Sequence, residues 1–145
     1  MDPRPGRPDV GRASCASGVG VSYVFAALGG ALGALARWGV ATALARSPGG
    51  WPWATLLVNL TGCLLMGALI AALTARSPEP PWARPFLAVG VLGGYTTYSA
   101  FAVEVVELVE AGAPVLAAGY VLVSVLGGVL AVAAGALAVR TARAR

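Results

Sequence analysis

Charged side chains interrupt this sequence so rarely that four long windows contain none: residues 13–36, 47–75, 85–103 and 111–139. A helix needs about 20 mostly apolar residues to cross the hydrocarbon core of a bilayer. Only 11% of the residues are charged and the mean hydropathy is +0.79, whereas soluble domains carry about 25% charged residues. The pattern therefore predicts an all-α membrane protein with four transmembrane helices.

Proline, glycine and tryptophan mark the ends of these helices, because proline and glycine do not prolong a helix and indole rings favour the membrane interface. The helices are predicted at about 20–45, 54–75, 84–110 and 115–139. Together they form one four-helix transmembrane unit over residues 19–140, of a size that suits a channel subunit. No remaining stretch is long enough for a soluble domain. Residues 1–18, rich in proline, glycine and arginine, are predicted to be a disordered tail, and residues 141–145 a basic tail.

Arginine is distributed unevenly between the two predicted sides of the membrane. Eight arginines fall in the N-terminal tail, the second loop and the C-terminal tail: Arg4, Arg7, Arg12, Arg76, Arg84, Arg140, Arg143 and Arg145. Arg46 alone falls on the other side. The positive-inside rule therefore predicts cytoplasmic termini. We expect the protein to lie in a plasma membrane of bacterial type.

The composition excludes several kinds of chemistry. The sequence contains no histidine, which rules out a histidine base or metal ligand. Cys15 and Cys63 are too few and too far apart for a zinc site or a redox pair, so we expect them to be small apolar fillers. The arginines are scattered over tails and loops, which does not suit nucleic-acid binding. We therefore expect no enzymatic activity and no organic cofactor.

Small residues recur at i, i+4 spacing in three of the predicted helices: Gly29 and Gly33, Gly90 and Gly94, and Gly127, Ala131 and Gly135. Such stripes let helix backbones approach closely, and they predict a tight bundle or dimer. Because they occur in helical membrane proteins of every kind, they do not indicate what is transported.

Polar side chains cost free energy in hydrocarbon unless they are paired, so those inside the predicted helices are the main candidates for function. The second helix carries Thr55 and Asn59, and the fourth carries Tyr120 and Ser124. Each pair has i, i+4 spacing and therefore lies on one helix face. Asn59 has two interpretations, a hydrogen-bonded link between helices or a ligand for an ion.

The middle of the third predicted helix is a polar segment, residues 93–99, with the sequence Gly-Gly-Tyr-Thr-Thr-Tyr-Ser. Adjacent glycines cost about 1 kcal/mol each relative to alanine, which predicts a break; a glycine kink is the alternative. A break at membrane depth frees backbone groups that can bind ions. The hydroxyls of Thr97 and Ser99 join the donors on the other two helices, and this set without a carboxylate suits an anion better than a cation.

Charged groups near the spans have more than one interpretation. Arg37 either extends to the membrane interface or has a structural or anion-attracting role. Glu104, Glu107 and Glu110 follow one another at i, i+3 spacing at the end of the third helix. Glu107 and Glu110 are expected on a solvated face, whereas Glu104 is nearest the span and its role is open.

Three segments resemble, in order and spacing, the signatures of the Fluc (CrcB) fluoride channels: GGALGALAR at 29–37, ATLLVNLTG at 54–62 and GGYTTYSAF at 93–101. The resemblance implies four-helix subunits that pair antiparallel, two fluoride pores and a structural sodium ion at the dimer centre. It implies passive export of cytoplasmic fluoride, which relieves fluoride toxicity. The second subunit is either this chain itself or an oppositely oriented homologue, and the arginine bias favours the homologue.

The donor set and the resemblance together assign the candidate site. The donor set places Asn59, Ser99, Tyr120 and Ser124 on the fluoride path, and the resemblance adds Tyr98 and Phe101. The resemblance alone implies that the backbone carbonyls of Gly93 and Thr96 surround sodium. Supporting positions are assigned to Arg37, Thr55, Thr97 and Glu104. Three positions depart from the family pattern: Tyr98 replaces a phenylalanine, Ala100 a threonine, and Gly128 a residue that often carries a hydroxyl. A tyrosine ring keeps the positive ring edge, but the lost hydroxyls thin the polar track and bear on conduction rate.

Two other functions fit a small four-helix protein. A multidrug or cation exporter would need an intramembrane carboxylate to exchange protons for substrate, and the first predicted helix has none. A structural assembly subunit, held by small-residue packing, would move no ion. The ratio of fluoride to chloride efflux from liposomes distinguishes these functions from a fluoride channel.

Overall fold

The computed structural model describes residues 10–44 and 49–145, with side chains from Gly20 onward. The described helices are α1 (Val10–Ala43), α2 (Trp53–Thr74), α3 (π-helical over Arg84–Leu92, then α-helical over Gly93–Tyr95), α4 (Ser99–Glu110) and α5 (Pro114–Arg143). Four segments are long and apolar enough to cross a membrane: Gly20–Ala43, Trp53–Thr74, Arg84–Glu110 and Pro114–Arg143. The prediction of an all-α chain with four such spans is therefore confirmed.

Both terminal helices are longer than predicted. Helix α1 begins at Val10, so part of the segment assigned to the disordered tail is helical. Helix α5 continues to Arg143, which makes most of the predicted basic tail part of the helix. Adding a residue to an existing helix costs far less than starting one, and arginines in a last turn interact favourably with the helix dipole. Residues 1–9 and 45–48, including Arg46, lie outside the described residues.

The helices pack as two close pairs, α1 with α3 and α2 with α5. Glycines lie at both contacts. A Cβ atom at Gly33 would collide with the carbonyl oxygen of Val91, and one at Gly67 would collide with that of Val132. The backbones therefore approach so closely that no side chain fits between them, as the small-residue stripes predict.

A small buried core joins α2, α4 and α5 at one end of the molecule. It consists of Leu56, Leu108, Ala117 and Tyr120, with Trp51 and Phe101 among the side chains packed against it. Most of the other large apolar side chains are exposed, including those of Leu35, Trp38, Leu122 and Leu130. This distribution is expected of a chain whose outer surface faces lipid rather than water.

The third span is not helical throughout. Helix α3 ends at Tyr95, Thr96 has an extended backbone (φ −77°, ψ 158°), and α4 begins at Ser99. The candidate residues of the third span lie within this interruption and on both sides of it.

Candidate functional site

Asn59 on α2 binds the non-helical backbone of the third span through two hydrogen bonds. Its Nδ2 donates to the carbonyl oxygen of Thr97 at 2.8 Å, and the amide nitrogen of Thr97 donates to Asn59 Oδ1 at 2.8 Å. The side-chain amide thus takes the place of a backbone partner. Asn59 is therefore a hydrogen-bonded link between α2 and the third span, which was the first of its two interpretations. Since Nδ2 carries two hydrogens, the link still leaves one of them for a ligand.

Thr97 also stabilises the start of α4. Its Oγ1 accepts a hydrogen bond from the amide of Ala100 at 3.2 Å and lies 3.3 Å from Ser99 Oγ. A threonine hydroxyl that binds an amide in the first turn of a helix replaces a missing backbone acceptor. Ser99 itself is exposed.

The bonds of Asn59 and Thr97 release two carbonyl groups from their helical donors. In a continuous helix the amide of Thr97 would bond the carbonyl of Gly93, and the amide of Ala100 that of Thr96. Both amides donate elsewhere, to Asn59 Oδ1 and to Thr97 Oγ1. The two carbonyls that the resemblance assigns to sodium are therefore those that have lost these donors, and such oxygens suit a hard cation.

A cavity of about 370 Å³ lies beside the interruption, between α2, α4 and α5. Four residues predicted on the fluoride path line it: Asn59, Tyr98, Phe101 and Ser124. The Oγ of Ser124 is buried and makes no hydrogen bond within the described part of the chain. Tyr98 is 81% exposed, so the cavity is open on that side. The arrangement offers hydrogen-bond donors to a small ligand and has no carboxylate among its lining residues.

The other two predicted path residues, Tyr120 and Ser99, are not among the lining residues of this cavity. Tyr120 donates its hydroxyl to Glu104 Oε2 at 2.7 Å, and Thr55 donates to Glu104 Oε1 at 2.8 Å. Both donors are buried, whereas the Glu104 side chain is half-buried. One hydroxyl therefore satisfies each carboxylate oxygen, and Glu104 with its two partners forms a site next to the cavity.

Aromatic rings connect the two sites. The ring centroids of Tyr98 and Phe101 are 6.0 Å apart, and those of Phe101 and Tyr120 are 5.2 Å apart. Trp51 continues the series, 5.8 Å from Tyr120 and 5.9 Å from Trp53. The edges of such rings carry partial positive charge, so the series extends an environment favourable to an anion. Sequence reasoning placed both tryptophans at the membrane interface but did not connect Trp51 to Tyr120.

Arg37 points into the protein. Its Nε donates to the carbonyl oxygen of Gly94 at 3.1 Å. It also lines a second cavity, of about 80 Å³, together with Thr55 and Thr97. Of the two interpretations of Arg37, the structure favours a structural or anion-attracting role over extension to the membrane interface.

Two features of this region were not predicted from the sequence: a contact of Tyr95 and the position of Cys63. Tyr95 OH lies 3.1 Å from Thr61 Oγ1, which adds a second link between α2 and the third span near Asn59. Cys63 lines the larger cavity with Asn59. The i, i+4 spacing of Asn59 and Cys63 could have indicated this, because it places both on one face of α2.

The sequence profile of the family described as "CrcB-like protein, Camphor Resistance (CrcB)" matches residues 24–136, a range that reaches from the first predicted span into the fourth. The chain belongs to the CrcB family. The resemblance carried by the three segments is thereby confirmed, and all candidate residues from Arg37 to Ser124 lie inside the matched range.

Curated relatives of this CrcB chain are named as channels. The "Fluoride-specific ion channel FluC" of Paracoccus denitrificans (strain Pd 1222) is 47% identical over 114 residues, which cover 79% of this chain and 90% of the relative. "Fluoride-specific ion channel FluC 2" of Thermobifida fusca (strain YX) is 45% identical over 115 residues, 79% of this chain and 85% of the relative. "Fluoride-specific ion channel FluC 1" of Mycobacterium tuberculosis (strain CDC 1551 / Oshkosh) is 43% identical over 125 residues, 86% and 93%.

Proposed function

We propose that this chain is a subunit of a fluoride channel that lets cytoplasmic fluoride leave the cell passively and so lowers its toxicity. One observation in the structure carries the proposal: the cavity at the interruption of the third span is lined by Asn59 and Ser124, whose side chains carry hydrogen-bond donors, and by no carboxylate. The names of the FluC relatives support the same ion.

The chemistry of the cavity suits fluoride. A small, strongly hydrated anion enters a narrow path only where protein donors replace its water. Asn59 Nδ2 and Ser124 Oγ supply such donors, and the ring edges of Tyr98 and Phe101 supply partial positive charge. No bond is made or broken in this process, because the protein only replaces hydration.

The alternative of a multidrug or cation exporter is less well supported. Such an exporter needs a carboxylate that binds and releases protons within the membrane. Glu104 lies within the third span, but Thr55 and Tyr120 each donate a hydrogen bond to it, so both of its carboxylate oxygens already have partners within the subunit.

Liposomes test the function directly. Liposomes that contain the purified channel, which is this chain together with its second subunit, are loaded with potassium fluoride or potassium chloride, and efflux is started with valinomycin. We expect rapid fluoride efflux and chloride efflux no faster than from empty liposomes. Equal rates for both anions would contradict fluoride selectivity, and no efflux of either anion from correctly assembled protein would favour the assembly subunit.

We further propose that the interruption is a functional break of the third span, and that two subunits pair antiparallel around a sodium ion. The Gly93 and Thr96 carbonyls would hold the ion, since the amides of Thr97 and Ala100 bond elsewhere. A sodium ion would balance the partial negative charge of these carbonyl oxygens inside the membrane. A hard cation takes more oxygen ligands than two, so a second subunit would contribute the same pair.

Substitutions at Gly93 and Thr96 are expected to differ in effect. Thr96→Ser keeps both the backbone carbonyl and the hydroxyl that bonds Leu92, so stabilisation of the dimer by sodium should persist. Gly93→Leu should abolish it. A Cβ at Gly93 would lie 3.7 Å from the carbonyl oxygen of Ala88, an ordinary van der Waals distance, so the first carbon of the new side chain fits within the subunit. The temperature at which the dimer dissociates is measured in sodium chloride and in N-methylglucamine chloride. A wild-type dimer that is equally stable in both salts would contradict the sodium site.

The arginine bias predicts one orientation for this chain, and hence a partner that is an oppositely oriented homologue. In cells that express this chain alone, a C-terminal peptide tag that contains no cysteine should be labelled only by a reagent that reaches the cytoplasm. Comparable labelling from both sides would instead mean that the chain inserts both ways and pairs with itself.

The hydroxyl of Tyr120 is expected to contribute to fluoride flux through its hydrogen bond to Glu104. Tyr120→Phe keeps the ring contacts with Phe101 and Trp51 but removes the donor to Glu104. Hydrogen bonds to charged groups contribute about 1.5–3 kcal/mol, so we expect fluoride flux to fall about tenfold. Tyr23→Phe is the matched control, because Tyr23 is 72% exposed on the outer face of α1. Equal flux from the two variants would mean that the Glu104 site does not influence conduction.

A further inference from the structure

Two helix faces meet at the larger cavity. Asn59 and Cys63 lie at i, i+4 on α2, and Ser124 and Gly128 lie at i, i+4 on α5, so each pair faces one way. A Cβ at Gly128 would be 3.5 Å from Cys63 Sγ. The thiol therefore borders the space in which α5 presents no side chain.

A second feature of the same cavity indicates a ligand. Ser124 lines it one turn before Gly128, and its Oγ is buried without a hydrogen-bond partner in the described part of the chain. A buried hydroxyl without a partner is costly, and the cost is removed when an ion accepts its hydrogen. An ion bound there would have Asn59, Cys63 and Ser124 around it.

We propose that the Cys63 thiol is a donor to fluoride in this cavity and acts from α2 where Gly128 offers nothing from α5. This inference rests on the proposed function. Cys63 forms no disulfide and is half-buried, so its S–H is available to an ion in the cavity. A thiol is a weak donor to most acceptors, but fluoride is a small anion with concentrated charge and is a strong hydrogen-bond acceptor.

Four variants test whether Cys63 donates a hydrogen bond to the ion or only fills space. Cys63→Ala should lower fluoride efflux about fivefold, and Cys63→Ser should keep or raise it, because a hydroxyl is the stronger donor. Adding Gly128→Ser to Cys63→Ala should restore efflux from the opposite helix. Adding Gly128→Ala is the matched control, since it places a methyl group in the same space without a donor and should restore nothing.

A thiol reagent tests the location of Cys63 independently of these variants. Methylmercury chloride forms an S–Hg bond, while the S–H and Hg–Cl bonds break and release a proton and chloride. We expect it to block the efflux of the wild type, to block Cys15→Ser equally with the mass increase of one adduct, and to leave the efflux of Cys63→Ser unaffected.

The outcomes distinguish this inference from the proposed function. A wild type that moves no fluoride contradicts the proposed function itself. A conducting wild type with Cys63→Ala equally active, or with restoration by Gly128→Ala as good as by Gly128→Ser, overturns the donor role alone. A Cys63 adduct without block also overturns it, because the thiol would then lie outside the path.

Discussion

Replacing Asn59 with aspartate is expected to reduce fluoride flux at least about 100-fold. A carboxylate oxygen would face the carbonyl oxygen of Thr97, where Nδ2 now donates at 2.8 Å, and a negative charge would stand beside the anion. Two like charges about 4 Å apart repel by about 4 kcal/mol at an effective dielectric constant near 20. That energy corresponds to a slowing of roughly a thousandfold.

Two further variants distinguish the effect of the added charge from the effect of losing the hydrogen bonds to Thr97. Asn59→Ala removes both hydrogen bonds to Thr97 without adding charge, so it should lower flux sharply but less than aspartate does. Thr74→Val is the control on α2, because its hydroxyl bonds only backbone carbonyls of its own helix, such as that of Ile70 at 2.8 Å. Efflux is measured at equal amounts of correctly assembled protein. Wild-type flux from folded Asn59→Asp would exclude Asn59 from the path.

Adding one methyl group at Gly33 is expected to destabilise the subunit by about 3 kcal/mol. The new Cβ would collide with the carbonyl oxygen of Val91 and lie 2.7 Å from the amide nitrogen of Tyr95. Both are backbone atoms, so α1 and α3 would have to separate. Separation would also move Gly94 away from Arg37, and we expect flux to be lost with stability.

Gly39→Ala is the matched control on the same helix. A Cβ at Gly39 would have no atom of the described chain within 4 Å, and alanine is the better helix former. Its thermal unfolding midpoint in detergent should equal or slightly exceed that of the wild type. Equal midpoints for Gly33→Ala and Gly39→Ala would contradict the close α1–α3 contact.

Much of the fold could be predicted from the sequence because the bilayer imposes a length and a composition. The four charge-free windows correspond to the four spans, since a charge inside hydrocarbon is costly whatever the neighbouring helices are. The bounds of α2 agree with prediction to one residue. Those of α1 and α5 do not, because composition outside the membrane limits a helix only weakly.

The candidate residues follow from composition and hydropathy alone, since a polar side chain inside a span must find a partner or a ligand. Which of the two each candidate has depends on how the helices pack in three dimensions. Asn59 bonds Thr97, Thr55 and Tyr120 bond Glu104, and Ser124 has no partner among the described residues. The i, i+4 pattern gives the face of a helix but not the helix opposite. Which helix lies opposite depends on where two backbones can pack closely, as they do at Gly33 and Gly67. These contacts bring together residues that are far apart in the sequence.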